Sequence, residues 1–191
     1  MKISTGRVRS ALHGLEVEGL LAVGAGGNLV VTPVDTRELE ALFELRFALE
    51  PELLSRACRT PCPAAFDEFR RAAAGRPIIN WQDDEIYALN RRAYLDYIRP
   101  TTSSVELGVF EDLVTSTQRA TRMGFKVLSE QHPCDLVWLA EATWELVDAC
   151  VAGKSASVQR AARRLLRLVK EVAWQGARPA GQTGAQLRVL P

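Results

Sequence analysis

The chain has 191 residues, of which 47% are hydrophobic and 25% are charged, a composition typical of a folded protein. Its formal net charge of +1 excludes a global basic surface, so any contact with nucleic acid has to be local. The sequence has neither an apolar run of about 18 residues nor a secretory h-region near its start, so we expect a cytoplasmic protein without a membrane span.

The first predicted elements are a short helix and a β-hairpin. Val8, Leu12 and Leu15 recur at helical spacing, Ser4 is a favourable N-cap, and Gly19 suits the position after the helix. The apolar runs LLAV and NLVVT, on either side of a glycine-rich turn, then predict two strands. A helix and a hairpin alone bury too little apolar surface to be stable, so we expect them to belong to a larger unit.

From Asp35 onward the apolar pattern is helical only. The sequence DTRE is a capping box that opens a long helix, and the prolines of RTPCP end it. Residues 126–135 are predicted to be a linker and residues after 174 a mobile tail. The remaining helices are predicted at about 64–74, 81–98, 103–123, 135–152 and 156–174. We therefore predict a mainly α fold, with a bundle of about six helices.

Neither a metal centre nor an enzyme active site is indicated by the residue pattern. Cys58 and Cys62 flank a proline-containing turn with no histidine nearby, which favours free thiols over a zinc site. The chain has only two histidines, no phosphate-binding loop and no recognisable pairing of a nucleophile with a base. We expect no cofactor and no catalysis.

Polar residues interrupt the apolar faces of three predicted helices. Arg46 lies on the apolar stripe of its helix, with Glu50 one turn further on; Asn90 and Tyr94 are four residues apart; Thr143 lies among leucines. One interpretation is that Arg46 pairs with Glu50 and the others make ordinary core hydrogen bonds. The alternative is an internal polar cavity that binds a small ligand. Periodicity alone leaves both interpretations open.

The ordered segments resemble a known family of transcription regulators. The run ISTGRVRSALHGLEVEGLL, followed by a glycine-rich turn and VTP, is similar to the second half of the winged helix-turn-helix of GntR-family regulators. The runs LFELRFALEPELLSRA, LNRRAYLDYI and ELVDACVAGKSASVQRAARRLL resemble the all-helical effector domain of the FadR-type branch, the FCD domain. The resemblance implies a partial DNA-binding domain at 1–33, an effector-binding and dimerisation domain at 34–174 and a flexible tail at 175–191.

The resemblance also implies which residues form the effector site. Many FCD domains resemble carriers of a divalent cation held by an Asp or Asn and three histidines. The corresponding positions here are Asn90, Tyr94, Thr143 and Leu165, so we predict no metal, because imidazole ligands are lacking. Arg46 matches the arginine of the family's ELR motif. The predicted ligand-binding residues are therefore Arg46, Asn90, Tyr94 and Thr143, with a small carboxylate as the favoured ligand.

For DNA, the resemblance implies contacts from the helix and from the tip of the wing. Thr5 stands where the family usually has arginine, which removes one strong contact. The positions that correspond to DNA-binding residues are Ser4, Thr5, Arg7, Arg9, Gly26 and Gly27. A solvated helix face is the alternative interpretation of Arg7 and Arg9.

Two hypotheses about function follow from this resemblance. The first is a homodimeric, DNA-binding regulator that responds to a small-molecule effector. The second is a DNA-binding-deficient module that binds ligand or dimerises, because the two helices that precede Ser4 in the family are expected to be missing. We expect the apolar face of Val8, Leu12 and Leu15 to be exposed, or covered by the helix from Asp35 or by a second subunit.

Overall fold

The computed structural model describes residues 4–76 and 84–178, and the chain divides into two compact units between Asp35 and Thr36. The first unit contains helix α1 (Thr5–Val17) and strands β1 (Leu21–Val23) and β2 (Leu29–Val31). The helices described in the second unit are α2 (Thr36–Ala57), α3 (Asp67–Ala73), α4 (Asp84–Ile98), α5 (Ser104–Gln131), α6 (Asp135–Val151) and α7 (Ser155–Ala177). The predicted fold class, a helix with a hairpin followed by a helical bundle, is confirmed.

In the first unit, the Ser4 side chain caps α1 by accepting a hydrogen bond from the Arg7 backbone N–H at 3.4 Å. The two strands pair antiparallel, with Leu21 opposite Val31. Gly27 in the connecting turn has φ +73°, a conformation that disfavours residues with a Cβ. The apolar residues on α1, Val8, Leu12 and Leu15, are exposed, in agreement with the first of the outcomes expected from the sequence.

The bounds of several helices differ from the sequence prediction. The linker predicted from residue 126 is wrong, because α5 continues to Gln131 and buries Leu128 in a cluster with Leu136 and Val172. Helix α7 extends past residue 174 to Ala177, with Gln175 buried. The stretch predicted as one helix over 64–74 is a 3₁₀ turn (Pro63–Phe66) that leads into α3.

Two predicted segments lie partly or wholly outside the described residues. These are the start of the helix predicted from residue 81 and the tail after residue 178. Within residues 4–76 and 84–178, no helix combines the length and the hydropathy that crossing a bilayer requires.

Helix α5 begins with a complete capping box. The Ser103 hydroxyl accepts from the Glu106 backbone N–H, and the Glu106 carboxylate accepts from the Ser103 backbone N–H. These bonds to Ser103, with a 2.9 Å ion pair to Arg56 of α2, lower the pKa of Glu106 to about 2. The capping residues therefore fix the start of α5 beside α2.

Helices α5 and α7 approach each other closely at two glycines. A Cβ at Gly124 would lie 1.7 Å from the Val172 carbonyl oxygen, and one at Gly176 would lie 2.2 Å from the Ala120 carbonyl oxygen. Only glycine at these positions permits the observed contact between the two backbones. This contact holds one side of the bundle together.

We expect Gly124→Ala to destabilise the protein by about 1–3 kcal/mol or more, because a methyl group there forces the two helices apart. Gly108→Ala on the same helix is the control. Its Cβ would meet no atom within 4 Å, so alanine should add up to about 1 kcal/mol through helix propensity. Urea unfolding of both variants measures the difference, and equal effects would contradict the close contact.

Candidate functional site

The second unit contains a cavity of about 140 Å³ between five of its helices, α2, α4, α5, α6 and α7. Its volume is close to the roughly 150 Å³ of an engineered apolar cavity that binds benzene. Most of the lining is apolar, contributed by side chains such as Phe110, Leu139 and Leu166. A mostly apolar hollow with a few polar groups is typical of a small-molecule site.

All four side chains predicted from the sequence to bind a ligand line this one cavity. Arg46 comes from α2, Asn90 and Tyr94 from α4, and Thr143 from α6. Leu165 of α7, which corresponds to the last metal-ligand position of the resembled family, lines it as well. Helical spacing brings Asn90 and Tyr94 onto the same face of α4, and the packing of the bundle brings the others opposite them.

Arg46 and Glu50 form a buried ion pair on the cavity wall. Their exposed fractions are only 8% and 7%. The guanidinium contacts Glu50 through Nε and through Nη2, the latter 3.4 Å from Oε2, and its Nη1 donates to the Thr117 hydroxyl at 2.8 Å. The two interpretations of Arg46 made from the sequence are therefore compatible, because the residue pairs with Glu50 and also lines a cavity.

Tyr94 presents an unpaired polar atom in the interior. Its hydroxyl is buried and has no hydrogen-bond partner among the described residues, while its ring packs edge-on against Phe66 at a centroid distance of 5.5 Å. Burial raises the pKa of Tyr94 well above its usual value, and electrostatic interactions with Cys150 and Glu50 raise it further. Tyr94 is therefore a neutral phenol that can donate one hydrogen bond.

The threonines of the wall use their hydroxyl hydrogens within their own helices. Thr143 donates to the Leu139 carbonyl oxygen at 2.8 Å, and Thr121 donates to the Thr117 carbonyl oxygen at 2.9 Å. Their oxygens keep acceptor capacity toward the cavity. Thr143 is thus positioned to accept a hydrogen bond rather than to donate one.

Sequence reasoning missed several residues of the cavity wall, among them Tyr87 and Arg91. Arg91 Nη2 donates to the Thr115 hydroxyl at 2.9 Å, its Nε is buried without a partner, and no carboxylate pairs with it within the described parts of the chain. Burial raises the pKa of Tyr87, against the opposing charges of Arg46 and Arg91. The spacing of Tyr87, Arg91 and Tyr94 along one helical face was the signal that could have identified them.

The positions that would hold a metal do not fit one. They provide an amide (Asn90), a neutral phenol (Tyr94), a hydroxyl (Thr143) whose hydrogen is engaged, and a hydrocarbon (Leu165). A divalent transition metal requires imidazole, thiolate or carboxylate ligands in several of these places. In residues 4–76 and 84–178, no group of three such side chains converges anywhere.

The six candidate DNA-binding residues all belong to the first unit. Arg7 and Arg9 are exposed to solvent on α1, and Ser4 is the N-cap of that helix. Gly26 and Gly27 lie in the tight turn between the strands, where the Gly27 N–H donates to the Gly24 carbonyl oxygen at 2.9 Å. Thr5 is the first residue of the helix. The first unit therefore presents two arginine side chains on α1 and a tight, glycine-containing turn between its strands.

Comparisons with known proteins bear on the helical unit and on the fold. Residues 41–168 match the family described as the FCD domain. The Escherichia coli protein McbR/YncC has a similar structure, with 19% identity and a TM-score of 0.65 over 92% of this chain and 87% of that one. A GntR-family transcriptional regulator from Pseudomonas syringae pv. tomato str. DC3000 is also similar, with 20% identity and a TM-score of 0.54 over 86% and 68% of the two chains. No curated protein matches significantly.

We expect Arg46→Met to destabilise the protein by about 3–5 kcal/mol, because it leaves the Glu50 carboxylate buried without its partner. The double variant Arg46→Met with Glu50→Leu should lose clearly less than the sum of the single losses. The exposed pair of Arg70 and Asp148, 3.0 Å apart, is the control, and its removal should change the free energy of unfolding by about 0–1 kcal/mol.

A double-mutant cycle in urea measures both pairs. Additive losses at Arg46 and Glu50 would contradict a coupled buried pair.

Proposed function

The chain belongs to the FCD domain family, and on this premise we propose that it is a ligand-responsive transcription regulator that senses a small organic acid in its helical unit. The family match spans the segment that contributes Arg46, Tyr94 and Thr143 to the cavity. The cavity has room for a molecule of only a few non-hydrogen atoms. The ligand is therefore a small molecule rather than a peptide or a lipid.

One observation chiefly supports an acidic ligand: two side chains that line the cavity carry buried donors without a partner among the described residues. Within residues 4–76 and 84–178 the Tyr94 hydroxyl and the Arg91 Nε–H are buried without partners, and each would gain a hydrogen bond from a ligand oxygen. The charge of Arg46 is balanced by Glu50, whereas the described residues give Arg91 one hydrogen-bond partner, the neutral hydroxyl of Thr115. An anionic oxygen placed beside Arg91 would therefore meet an unbalanced positive charge.

Asn90 and Thr143 complete the proposed ligand contacts. The amide of Asn90 can donate and accept, and the Thr143 oxygen can accept, so hydroxyl groups on the ligand would be satisfied. Arg46 keeps N–H groups beyond those engaged by Glu50 and Thr117. A small carboxylate with one or two hydroxyl groups fits this set of donors and acceptors.

DNA binding is proposed for the first unit, in a homodimer. Arg7 and Arg9 are exposed on α1, where they can reach phosphates or base edges, and the glycine turn lets the backbone approach a groove. Ligand binding at Arg46 acts on α2, the helix that follows the first unit directly along the chain at Thr36. A shift in that helix is the proposed route by which ligand changes the affinity for DNA.

The second candidate function is a ligand-binding or dimerisation module that does not bind DNA. It is favoured by the exposure of Val8, Leu12 and Leu15, the apolar residues of α1. Thr5, where the family usually has an arginine, also weakens the proposed DNA contact. Neither candidate involves catalysis, and turnover of any bound acid by the purified protein would overturn both.

We expect Tyr94→Phe to leave the free energy of unfolding unchanged or raised, because it removes a buried hydroxyl that has no partner among the residues that the structure describes. The same variant should weaken binding of small carboxylates about ten-fold, measured by calorimetry with a panel of two- to six-carbon acids. Tyr97→Phe is the control, since it breaks a 3.1 Å bond to the Cys150 carbonyl oxygen and should lower stability without changing affinity.

If Tyr94→Phe destabilises the protein and leaves ligand affinity intact, the hydroxyl has a structural role and the proposed site is wrong.

For DNA, we expect Arg9→Ala to weaken binding to labelled random-sequence duplexes. It should also reduce the slope of log affinity against log salt concentration by about one. Arg167→Ala, an exposed change on α7, is the control and should alter neither quantity. Fluorescence anisotropy measures the affinity, and sedimentation velocity measures the stoichiometry against the 21.1 kDa chain. No binding by the unsubstituted protein at low salt would favour the second candidate function.

A further inference from the structure

Helix α7 presents an apolar stripe to the cavity. The structure describes this helix along its whole length, Ser155–Ala177, and every side chain that it contributes to the lining is a hydrocarbon. These residues are Ala162, Leu165, Leu166 and Val169. Their spacing of three and four residues places them on one face of the helix. The side of the cavity that α7 forms is therefore apolar.

Helix α4 presents a stripe of opposite character at the same spacing. Its polar lining residues are Tyr87, Asn90, Arg91 and Tyr94, and Ile86 near the start of the helix is apolar. The Tyr94 hydroxyl and the Arg91 Nε–H are buried without a partner in the part of the chain that the structure describes. The side of the cavity that α4 forms therefore has hydrogen bonds to give.

The two stripes border the cavity from different sides. Helix α4 packs extensively against α2 and α3, whereas α7 packs extensively against α2, α5 and α6. Leu139 and Leu146 of α6 extend the apolar surface beside α7. We name these side chains of α6 and α7 the apolar wall. A ligand in the cavity therefore meets donors on the side of α4 and hydrocarbon at the apolar wall.

The polar lining residues of α5 and α6 are threonines, and they do not attract a carboxylate. The hydroxyl hydrogens of Thr121 and Thr143 are bonded to carbonyl oxygens of their own helices, so these groups offer a ligand only acceptors. A carboxylate requires donors. Arg46 of α2 has donors, but its charge is already balanced by Glu50. A ligand carboxylate is therefore best satisfied at α4.

We propose that the cavity binds an amphipathic acid, with its carboxylate against α4 and a compact, branched hydrocarbon group against the apolar wall. The volume of about 140 Å³ suits a compact group, since a cavity of similar size binds benzene. Methyl groups that leave water for this wall add to the affinity, whereas a hydroxyl group there loses its hydrogen bonds to water. Any hydroxyl group of the ligand then lies near its carboxylate. This inference rests on the proposed function, because it names the class of acid that the same cavity takes.

Three probes of nearly the same size test the two ends of the ligand separately. Isovalerate is the reference, 3-hydroxybutyrate has a hydroxyl group in place of one terminal methyl group, and isovaleramide has a neutral amide in place of the carboxylate. Calorimetry should give isovalerate a dissociation constant at least about ten-fold lower than that of 3-hydroxybutyrate, because the hydroxyl group faces hydrocarbon. Isovalerate should also bind at least about ten-fold more tightly than isovaleramide, because only its carboxylate carries a charge that can pair with Arg91.

Two variants of the apolar wall locate the hydrocarbon group. Leu165→Asn replaces a half-buried leucine by a polar side chain of similar size, and Val169→Thr replaces a half-buried valine in the same way. Either change should reduce the preference for isovalerate over 3-hydroxybutyrate to about two-fold or less. Leu168→Asn is the matched control, since Leu168 is half-buried on the same helix but is not part of the lining, and it should leave the preference unchanged.

The outcomes separate the inference from the proposed function. If 3-hydroxybutyrate binds as tightly as isovalerate, or if both variants of the apolar wall keep the preference, the inference is wrong and the acid sensor stands. The same conclusion follows if isovalerate fails to bind while another acid of the two- to six-carbon panel binds. If isovaleramide binds as tightly as isovalerate, or if no acid binds at all, the acid sensor and the inference are both overturned.

Discussion

The buried ion pair of Arg46 and Glu50 determines which part of the helical unit stays polar. Charges removed from water are tolerated only when nearly every donor and acceptor is satisfied, and here Glu50 and the Thr117 hydroxyl provide those contacts. Because Thr117 belongs to α5, the pair also ties α2 to α5. An apolar wall at this place could collapse into the space between the helices, whereas a satisfied polar wall keeps its geometry.

The geometry of the helical unit explains why the same sequence pattern supported two interpretations. Arg46 and Glu50 satisfy the rule that helical neighbours four residues apart pair, and they lie on the face that the bundle turns inward. The positions that correspond to metal ligands in the resembled family meet in the same cavity. In this chain those positions hold an amide, a phenol, a hydroxyl and an aliphatic side chain, which are suited to hydrogen bonding and apolar packing rather than to holding a cation.

The sequence predicted the order and type of the helices well, because capping residues and apolar periodicity are local signals. It predicted helix ends less well, since the end of α5 depends on Leu128 packing against α7, a contact remote in sequence. The four predicted cavity residues stood out as polar interruptions of apolar stripes. Arg91 did not, because its spacing from Tyr87 and Tyr94 places it on the same helical face but does not show that its guanidinium lines a cavity until neighbours such as Thr115 are known.

The helices of the bundle differ in how much their present contacts allow them to move. Helices α5 and α7 touch through backbone at Gly124 and Gly176, a contact that leaves no room for adjustment. Helix α4 instead presents two buried donors, from Tyr94 and Arg91, that no group in the described part of the chain satisfies. A ligand can shift a conformational equilibrium only through contacts that differ between states. The groups with contacts still to gain lie on α4, which packs against α2, so the binding energy of the proposed ligand is available to move α4 and, through that packing, the α2 helix that follows the first unit along the chain.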